Sequence, residues 1–284
     1  MDAQVSEAAR PVRDFDIETQ LLLDALYLKY HYDFRGYAMA SLKRRLTRAL
    51  EHFGCDTVSQ LQDRVMHEPA AFPVLLDYLT LPVSEMFRDP SYFRALREQV
   101  VPLLRTYPSL KVWVAGCSTG EEVYSLAILL KEEGLLARTL IYATDINPHR
   151  LQEAEAGVYA IDRIPGFTEN HRKSGARSSL SDHYTAAYDR AIVDKSFRRH
   201  VVFSDHSLAT DSVFAEVQLV SCRNVLIYFN RPLQDRALGL FRDALCRKGF
   251  LGIGSKESLR FSVHSEAFAD LVREDRIYQK KDDA

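Results

Sequence analysis

The sequence predicts an α/β protein in which a small all-helical domain precedes a mostly parallel sheet. Its 284 residues fit two domains better than one, because a domain usually contains about 100–200 residues. Residues 14–100 carry helical periodicity and little that suggests strand. After residue 100, short apolar runs alternate with helical segments, which is typical of a parallel sheet flanked by helices. We therefore expect a helical domain over 14–88 and an α/β domain over 100–281.

The N-terminal part contains four or five short predicted helices, and one of them is strongly basic. Residues 40–52 place apolar side chains on one face of a helix, while cations occupy the opposite face with no acid among them. These cations are Lys43, Arg44, Arg45 and Arg48. Such a face is either simply solvated or complementary to an acidic partner, and both interpretations stand at this point.

The C-terminal part alternates strands and helices, apart from one irregular stretch. Residues 155–199 mix glycine, proline, serine and many charges, which predicts an insertion into the sheet. Residues 249–254 and 276–280 are expected to pair as an antiparallel hairpin at the sheet edge. The other predicted strands are 111–115, 139–143, 200–203 and 217–220, and the predicted helices are 121–131 and 233–246.

The balance of charges argues against a protein that coats nucleic acid or an anionic membrane. The chain has 37 Lys and Arg against 39 Asp and Glu, a formal net charge of −2. No apolar run approaches the roughly 20 residues of a membrane span, and the polar N-terminus is not that of a signal peptide. We expect a monomeric cytoplasmic protein without membrane insertion. The four cysteines show no C-x-x-C spacing, so we expect reduced thiols and no metal site.

A loop that carries two glutamates lies between the first predicted strand and its helix. Its glycines, Gly116 and Gly120, have the wrong spacing for a dinucleotide-binding loop, and a Walker loop is excluded because no Gly-Lys-Ser/Thr is present. Glu121 and Glu122 stand in the first helical turn, where they would repel a phosphate. We therefore expect a ligand without phosphate. Complementing the helix dipole is the alternative role of these two carboxylates.

Asp145 follows the second predicted strand directly. An acid at this place can accept hydrogen bonds from both hydroxyls of a ribose. Capping the next helix is the alternative, but Asn147 already supplies that cap. Carboxylates without a phosphate cradle, followed by a ribose-type acid, fit a cofactor with a ribose, a positive charge and no phosphate. S-adenosylmethionine has these three features.

A third polar stretch interrupts an apolar run at residues 221–229. Arg223 and Asn224 need partners there, because a buried unpaired polar group costs several kcal/mol. A bound ligand would supply them, or else a salt bridge and an Asx-type turn. Cys117 and Cys222 lie near the same predicted pocket, but no Cys-His-Asp order supports a thiol nucleophile, and we expect them to pack in the core.

Four strings of residues, taken together, resemble one family of enzymes. They are LPVSEMFR at 81–88, GCSTGEE at 116–122, ATDIN at 143–147 and CRNVLIYF at 222–229. In this order they resemble the CheR-type chemotaxis receptor methyltransferases, which are protein-glutamate O-methyltransferases, and the likeness covers about residues 14–280. The resemblance implies a Rossmann-like, S-adenosylmethionine-dependent methyltransferase sheet. It also implies a small N-terminal all-helical domain and an inserted subdomain.

The resemblance also implies roles for individual residues. Positioning is the main demand of methyl transfer to a carboxylate, and the candidate catalytic residues are Arg88 and Tyr228. Arg88 would orient one carboxylate, that of the cofactor or that of the substrate. Tyr228 would donate to the same site or else pack as a core aromatic. The implied cofactor contacts are Ser84, Arg88, Gly116, Glu121, Asp145, Ser207, Leu208, Arg223 and Asn224. Pro82 and Ser207 depart from the family pattern, which usually has asparagine at both positions.

The expected activity is methyl transfer from S-adenosylmethionine to glutamate side chains of a chemoreceptor or a related signalling protein. The basic helix over 40–52 would then meet the acidic helical region of that receptor, where complementary charge raises the rate of encounter. The alternative is a cofactor-binding regulatory module with reduced or no turnover, which Pro82 and Ser207 motivate. Only the basic helix would support methylation of a nucleic acid, and we expect no nucleic-acid partner.

Overall fold

The protein forms two compact units that divide between residues 81 and 82. The structure is a computed structural model that describes residues 14–80 and 84–282. Pro82, one of the two departures from the family pattern, lies outside the described residues. Phe87, Tyr92 and Phe93 pack in the core of the C-terminal unit, so the segment after residue 84 belongs with the sheet.

Within residues 14–80 the N-terminal unit contains four helices. The helix Met39–Phe53, α2, ends at Gly54, whose φ of 63° permits the left-handed turn that terminates the helix. The next helix, Val58–His67 or α3, begins with a capping box, in which Thr57 and Gln60 satisfy each other's backbone amides. The helices of this unit are α1 (Asp14–Tyr30), α2 (Met39–Phe53), α3 (Val58–His67) and α4 (Ala71–Leu79).

The basic helix predicted over 40–52 is α2, but one of its four cations is not on the exposed face. Arg45 is buried with Leu42 and Leu46, and its guanidinium donates to the Leu79 carbonyl. The expectation that Arg45 takes part in partner binding is therefore corrected. The physical reason is helical phase, because position 45 lies three residues after the core residue at 42 and so shares its face.

The C-terminal unit is built on a mixed seven-stranded sheet in the order β6-β2-β1-β7-β8-β10-β9. The five strands from β6 to β8 are parallel, β10 pairs antiparallel with β8, and the edge strand β9 pairs antiparallel with β10. Its strands are β1 (Leu110–Ala115), β2 (Thr139–Asp145), β6 (Val201–Asp205), β7 (Val217–Cys222), β8 (Leu245–Ile253), β9 (Phe268–Val272) and β10 (Ile277–Lys280). The predicted hairpin partners therefore pair as β8 and β10, while β9 at the edge was not predicted.

Helices cover this sheet because its central strands are apolar on both faces. Trp113 in β1 is fully buried, and its indole nitrogen donates to the Thr144 hydroxyl on β2 at 2.8 Å. This bond satisfies the one polar atom of the largest core side chain. The helices of this unit are α5 (Pro90–Ala95), α6 (Val101–Leu104), α7 (Glu121–Glu132), α8 (Pro148–Ala156), α9 (Ile164–Lys173) and α10 (Arg231–Ala244).

The irregular stretch predicted over 155–199 contains a separate three-stranded antiparallel sheet. Its strands are β3 (Val158–Ala160), β4 (Tyr184–Ala187) and β5 (Arg190–Val193), in the order β3-β5-β4. The insertion is fastened to the end of α7 at Glu132, where the His171 ring and the Ser178 amide each lie 3.1 Å from its carboxylate.

Glu132, His171 and His183 bring three possible metal-ligand atoms within 4.8 Å of one another. Hydrogen-bond donors already surround the Glu132 carboxylate, and the Arg97 guanidinium pairs with its other oxygen. Burial raises the pKa of Glu132, but the bonds from His171 and Ser178 and the charge of Arg97 outweigh it and lower this pKa to about 2. The cluster is therefore an internal network of ion pairs and hydrogen bonds.

Replacing Gly252 by alanine should destabilise the C-terminal unit. A Cβ atom at Gly252 on β8 would lie 2.1 Å from the hydroxyl oxygen of Tyr92, which is buried and bonded to Ser221. We expect the free energy of unfolding to fall by about 1–3 kcal/mol, the usual cost of overpacking. Urea unfolding followed by the fluorescence of the single tryptophan, Trp113, measures it.

The matched control is Gly166→Ala in α9, where no atom lies within 4 Å of the added Cβ. This variant should unfold at the same urea concentration or a higher one, because alanine has the better helix propensity. Equal stability of the two variants would contradict the packing account.

Candidate active site

Parallel pairing brings the predicted site residues to one edge of the sheet. Strands β2 and β7 both run parallel to β1, and β6 runs parallel to β2. The loop at 116–120, Asp145, Ser207 and Arg223 each stand at or just after the carboxyl end of one of these strands. In open α/β sheets this edge is where ligands bind.

The loop after β1 is packed too tightly for any residue but glycine at its start. Gly116 has a φ of 73°, and a Cβ there would lie 2.4 Å from a methyl group of Val225. The amides of Gly116 and Cys117 both donate to the Thr144 carbonyl, at 2.8 and 2.9 Å. The loop is thereby tied to β2 on one side and to the segment after β7 on the other.

Asp145 lies in the middle of this edge with both carboxylate oxygens on backbone amides. Oδ2 accepts from Ser118 at 2.8 Å and Oδ1 from Asn147 at 3.0 Å. Burial raises the pKa of Asp145, and these backbone donors partly offset that rise. The Ile146 amide also acts on this carboxylate, which with three backbone donors still keeps acceptor capacity for a ligand hydroxyl. The predicted cap for α8 comes from Asn147, whose side chain accepts from the His149 amide.

The Ser118 hydroxyl indicates that a ligand binds beside Asp145. It is buried and finds no hydrogen-bond partner among the described residues, and Ser118 has a φ of 49°. Buried hydroxyls in native proteins are normally paired. Together with Asp145 it offers the donor and acceptors that the ribose of S-adenosylmethionine requires, so the residues present fit this cofactor.

Glu121 is buried at the start of α7, and its carboxylate forms side-chain hydrogen bonds in addition to complementing the helix dipole. Its Oε1 accepts from the Arg163 guanidinium at 2.8 Å, and its Oε2 accepts from the Thr119 hydroxyl at 2.6 Å. Arg163 comes from the insertion, stacks 4.7 Å from the Phe167 ring centre, and donates to the Ser84 carbonyl. Sequence reasoning missed Arg163, because a single arginine in an irregular stretch carries no motif.

A cavity of about 640 Å³ opens beside Glu121 under the inserted sheet. Arginines and glutamates line it in equal number, so it carries no excess of either charge. Its lining residues are Ser84, Glu85, Thr119, Glu121, Arg150, Glu153, Ala156, Val158, Tyr159, Ala160, Arg163 and Arg190. Residues of the insertion and of the loop before α7 therefore line the same cavity.

The Arg223 guanidinium is largely occupied by protein groups, and its role as a cofactor contact stays a prediction. The side chain is only 1% exposed, and Nη1 donates to Glu122 at 3.1 Å. Nη2 donates to the Asp89 carboxylate at 2.8 Å and to the Arg88 carbonyl at 2.9 Å. Protein groups therefore supply partners for Nη1 and Nη2, while the buried Nε finds none among the described residues. Arg223 holds the turn at Arg88 and Asp89, and its guanidinium lies 4.1 Å from the Tyr92 ring centre.

Glu257 holds the turn that carries Asn224 and Tyr228. Asn224 has a φ of 62°, and its amide donates to Glu257 Oε2 at 3.1 Å. The Ile227 amide donates to Oε1 at 3.1 Å and the Gly254 amide to Oε2 at 2.6 Å. Burial raises the pKa of Glu257, while these backbone bonds oppose the rise. Sequence reasoning missed Glu257, which lies 33 residues after Asn224 in an irregular loop.

The remaining predicted residues lie at the same edge of the sheet. The Ser207 hydroxyl accepts from the Ala209 amide at 3.3 Å, and the Ser207 amide donates to Asp211 at 2.9 Å, so this serine shapes its own turn. Leu208 is buried beside it. Arg88 and Tyr228 are partly buried. No contact in the structure assigns either of them to a substrate, and their catalytic roles stay predictions.

The cysteines near the site are not poised as nucleophiles. Cys117 and Cys222 are buried, and burial raises the pKa of both thiols well above its usual value. The reactive thiolate form is therefore disfavoured. Separately, none of the helices in the described ranges is both long enough and apolar enough to span a membrane.

Comparison with known proteins matches both units to one family. Residues 82–273 match the CheR methyltransferase, SAM binding domain, and residues 17–80 match the CheR methyltransferase, all-alpha domain. A Pseudomonas putida protein called Cher3, whose name gives it as a candidate methyltransferase, is 63% identical over 94% of this chain and 98% of its own length.

More distant relatives carry chemotaxis names. A chemotaxis protein methyltransferase of Listeria innocua is 30% identical over 80% of this chain and 84% of its own length. One from Salmonella typhimurium is 27% identical over 86% of this chain and 83% of its own length. The cofactor of this chain is S-adenosylmethionine, in agreement with the fit at Asp145 and Ser118.

Replacing Asp145 by asparagine should weaken cofactor binding and remove a pH dependence. In the wild type, affinity for S-adenosylhomocysteine should fall as the pH drops through the raised pKa of Asp145, because the protonated carboxyl loses acceptor sites. At neutral pH the variant should bind about tenfold more weakly or worse, since hydrogen bonds to charged groups contribute about 1.5–3 kcal/mol.

Isothermal titration calorimetry from pH 4 to 8 measures both effects. Asp189→Asn is the matched control, because that side chain is 81% exposed. An Asp145→Asn variant that binds normally would contradict the assignment.

Glu257→Gln should loosen the turn after β7. The new amide group would point an N–H at a backbone N–H, leaving one donor unpaired, so we expect about 1–3 kcal/mol less stability. Affinity for S-adenosylhomocysteine should fall with it. Thermal unfolding and calorimetry measure the two, with the exposed Glu266→Gln as control. Normal behaviour of Glu257→Gln in both would show that the carboxylate is dispensable.

Proposed function

Because the chain belongs to the CheR methyltransferase family, we propose that it methylates glutamate side chains of a chemoreceptor or a related signalling protein. The cradle around Asp145 carries the proposal, since it suits a ribose and lies beside carboxylates that disfavour a phosphate. The chemotaxis names of several relatives support the choice of acceptor. We also propose that it acts in the cytoplasm.

The cofactor would be held from several segments. Asp145 would accept from the ribose hydroxyls, and the buried carboxylate of Glu121 would face the positively charged part of the cofactor. Gly116 would let the backbone approach closely. Further contacts are proposed from Ser84, Ser207, Leu208 and Asn224.

Methyl transfer to a carboxylate makes modest demands on the protein. S-adenosylmethionine supplies a methyl group on a cationic sulfur. A glutamate side chain has a pKa near 4.3 in solution and is already ionised at pH 7, so the site needs no general base. The protein's contribution is to align the acceptor oxygen and exclude water, an effect that reaches roughly 7–11 kcal/mol.

Arg88 and Tyr228 are the proposed residues for that alignment. Arg88 follows the segment 84–87, and its backbone carbonyl is held by Arg223 at 2.9 Å. A guanidinium in a fixed turn can orient a carboxylate through charge-assisted hydrogen bonds. Tyr228 lies in the short 3₁₀ helix Leu226–Tyr228, whose backbone Glu257 anchors, and its hydroxyl can donate to the same carboxylate.

The exposed cations of α2 are proposed to meet the acidic helical region of the receptor. Arg44 and Arg48 are exposed, whereas Lys43 is partly engaged in an ion pair with Asp16. Arg45 is buried and takes no part in this surface. Complementary charge of this kind mainly speeds encounter, so its effect should weaken as salt is added.

Transfer of a labelled methyl group tests the proposal. The purified protein should transfer tritium from methyl-labelled S-adenosylmethionine to cytoplasmic fragments of the chemoreceptors encoded in the same genome. Alkali should release the label as volatile methanol, because carboxyl methyl esters hydrolyse in base. Receptor fragments with glutamine in place of the methylated glutamates should give no label above background, and the Asp145→Asn enzyme should transfer label more slowly when S-adenosylmethionine is limiting.

Two other outcomes would point elsewhere. Binding of S-adenosylhomocysteine without transfer to any receptor fragment would overturn the proposed substrate. No detectable binding would favour a regulatory module that has lost turnover, the alternative that Pro82 and Ser207 motivate.

A further inference from the structure

The loop between β8 and β9 exposes large apolar side chains from a fixed backbone. Phe261 is 65% exposed and Val263 is 76% exposed, while Leu259 and Ser262 between and beside them are buried. Single exposed apolar residues are common, but two large ones at the tip of one loop require an explanation.

Hydrogen bonds determine the shape of this loop. The Ser262 amide donates to the Leu259 carbonyl at 2.8 Å, and the Val263 amide donates to the Asp235 carboxylate on α10 at 3.3 Å. The Arg260 amide donates to the Ser258 hydroxyl at 3.1 Å. The apolar side chains are therefore held outward by an ordered loop, which lowers the entropy cost of binding a partner.

Two arginines flank the exposed phenylalanine. The guanidinium of Arg231 lies 5.2 Å from the Phe261 ring centre and also donates to the Phe261 carbonyl. That of Arg260 lies 5.6 Å from the same ring centre. Within residues 14–80 and 84–282, neither guanidinium forms an ion pair, whereas Asp235 is turned to the Val263 backbone. The surface is thus apolar at its centre with an arginine on either side, and Asp270 and Glu274 lie farther out, in the cavity that Arg260 and Phe261 also line.

This surface adjoins the candidate catalytic turn. The base of the same loop is Glu257, which binds the Ile227 amide next to Tyr228. The tip of the loop is bonded to Arg231, the first residue of α10 and only three residues after Tyr228. Ile227 itself is 39% exposed. A protein whose side chain reaches Tyr228 must therefore pass close to this loop.

We propose that Ile227, Arg231, Arg260, Phe261 and Val263 form a docking surface for an acidic amphipathic helix of the methyl acceptor. We call it the β8–β9 docking surface. The inference rests on the proposed function. It adds to that function a binding place for the acceptor on the C-terminal unit. A helix that carries apolar residues at i and i+3 or i+4 beside glutamates would place its apolar stripe on Phe261 and Val263 and its acids on the arginines.

The double variant Phe261→Ser with Val263→Ser tests the apolar centre, and Arg260→Glu tests the charge. Each should raise the KM for a purified cytoplasmic chemoreceptor fragment by about tenfold or more, which is the usual effect of losing an interface anchor. Affinity for S-adenosylhomocysteine and the kcat should stay within about twofold of wild type, because these residues do not touch the cofactor site. Leu103→Ser on α6, which is 40% exposed in the wild type, is the matched control.

Direct binding complements the kinetics. Fluorescence anisotropy of a labelled fragment against the enzyme loaded with S-adenosylhomocysteine should show the same loss of affinity in both variants and none in Leu103→Ser. If both variants bind the fragment as tightly as the wild type does, the docking surface is overturned. In that case methyl transfer by the wild-type protein would still support the proposed function. A wild-type protein that methylates no receptor fragment would overturn the proposed function and this inference with it.

Discussion

Three carboxylates, Glu121, Asp145 and Glu257, hold together the segments that leave the carboxyl ends of the parallel strands. Removing a carboxylate from water is costly unless donors surround it, so each acid requires its donors to stay in place. Asp145 is satisfied by amides on both sides of it, Glu257 by the turn after β7, and Glu121 by Arg163 from the insertion. The order of the whole edge follows from satisfying these three charges.

The charged groups at this edge divide into two kinds. Arg223 pairs with Glu122 in the interior and holds the Arg88 carbonyl, so it positions the turn at Arg88. Asp145 and Ser118 keep hydrogen-bonding capacity that the protein does not use, and so does the Nε atom of Arg223. Arg223 thus supports the site with two of its nitrogens, while Asp145 and Ser118 remain available to the cofactor. It also places the insertion in the site, because Arg163 links it to both Glu121 and Ser84.

Much of the fold and part of the site were predictable from local sequence. The parallel strands, α2, α7 and the insertion follow from apolar periodicity and from glycine and proline punctuation, which are local signals. Strand β9 was missed, because the segment from Phe268 to Val272 is short and pairs only at the sheet edge. Arg45 was placed on the wrong face, because four cations within six residues suggested one surface although helical phase separates them.

The sequence by itself determined the family, the cofactor and the strand ends where the chemistry lies, since these depend on strings of neighbouring residues. Only the tertiary structure decided the partner of each charged side chain. Arg163 meets Glu121 across 42 residues of chain, Glu257 meets the Asn224 amide across 33, and Arg223 meets Asp89 across 134. Ion pairs and hydrogen bonds act over a few ångströms in space, and no local pattern records which distant residues the fold brings within that distance.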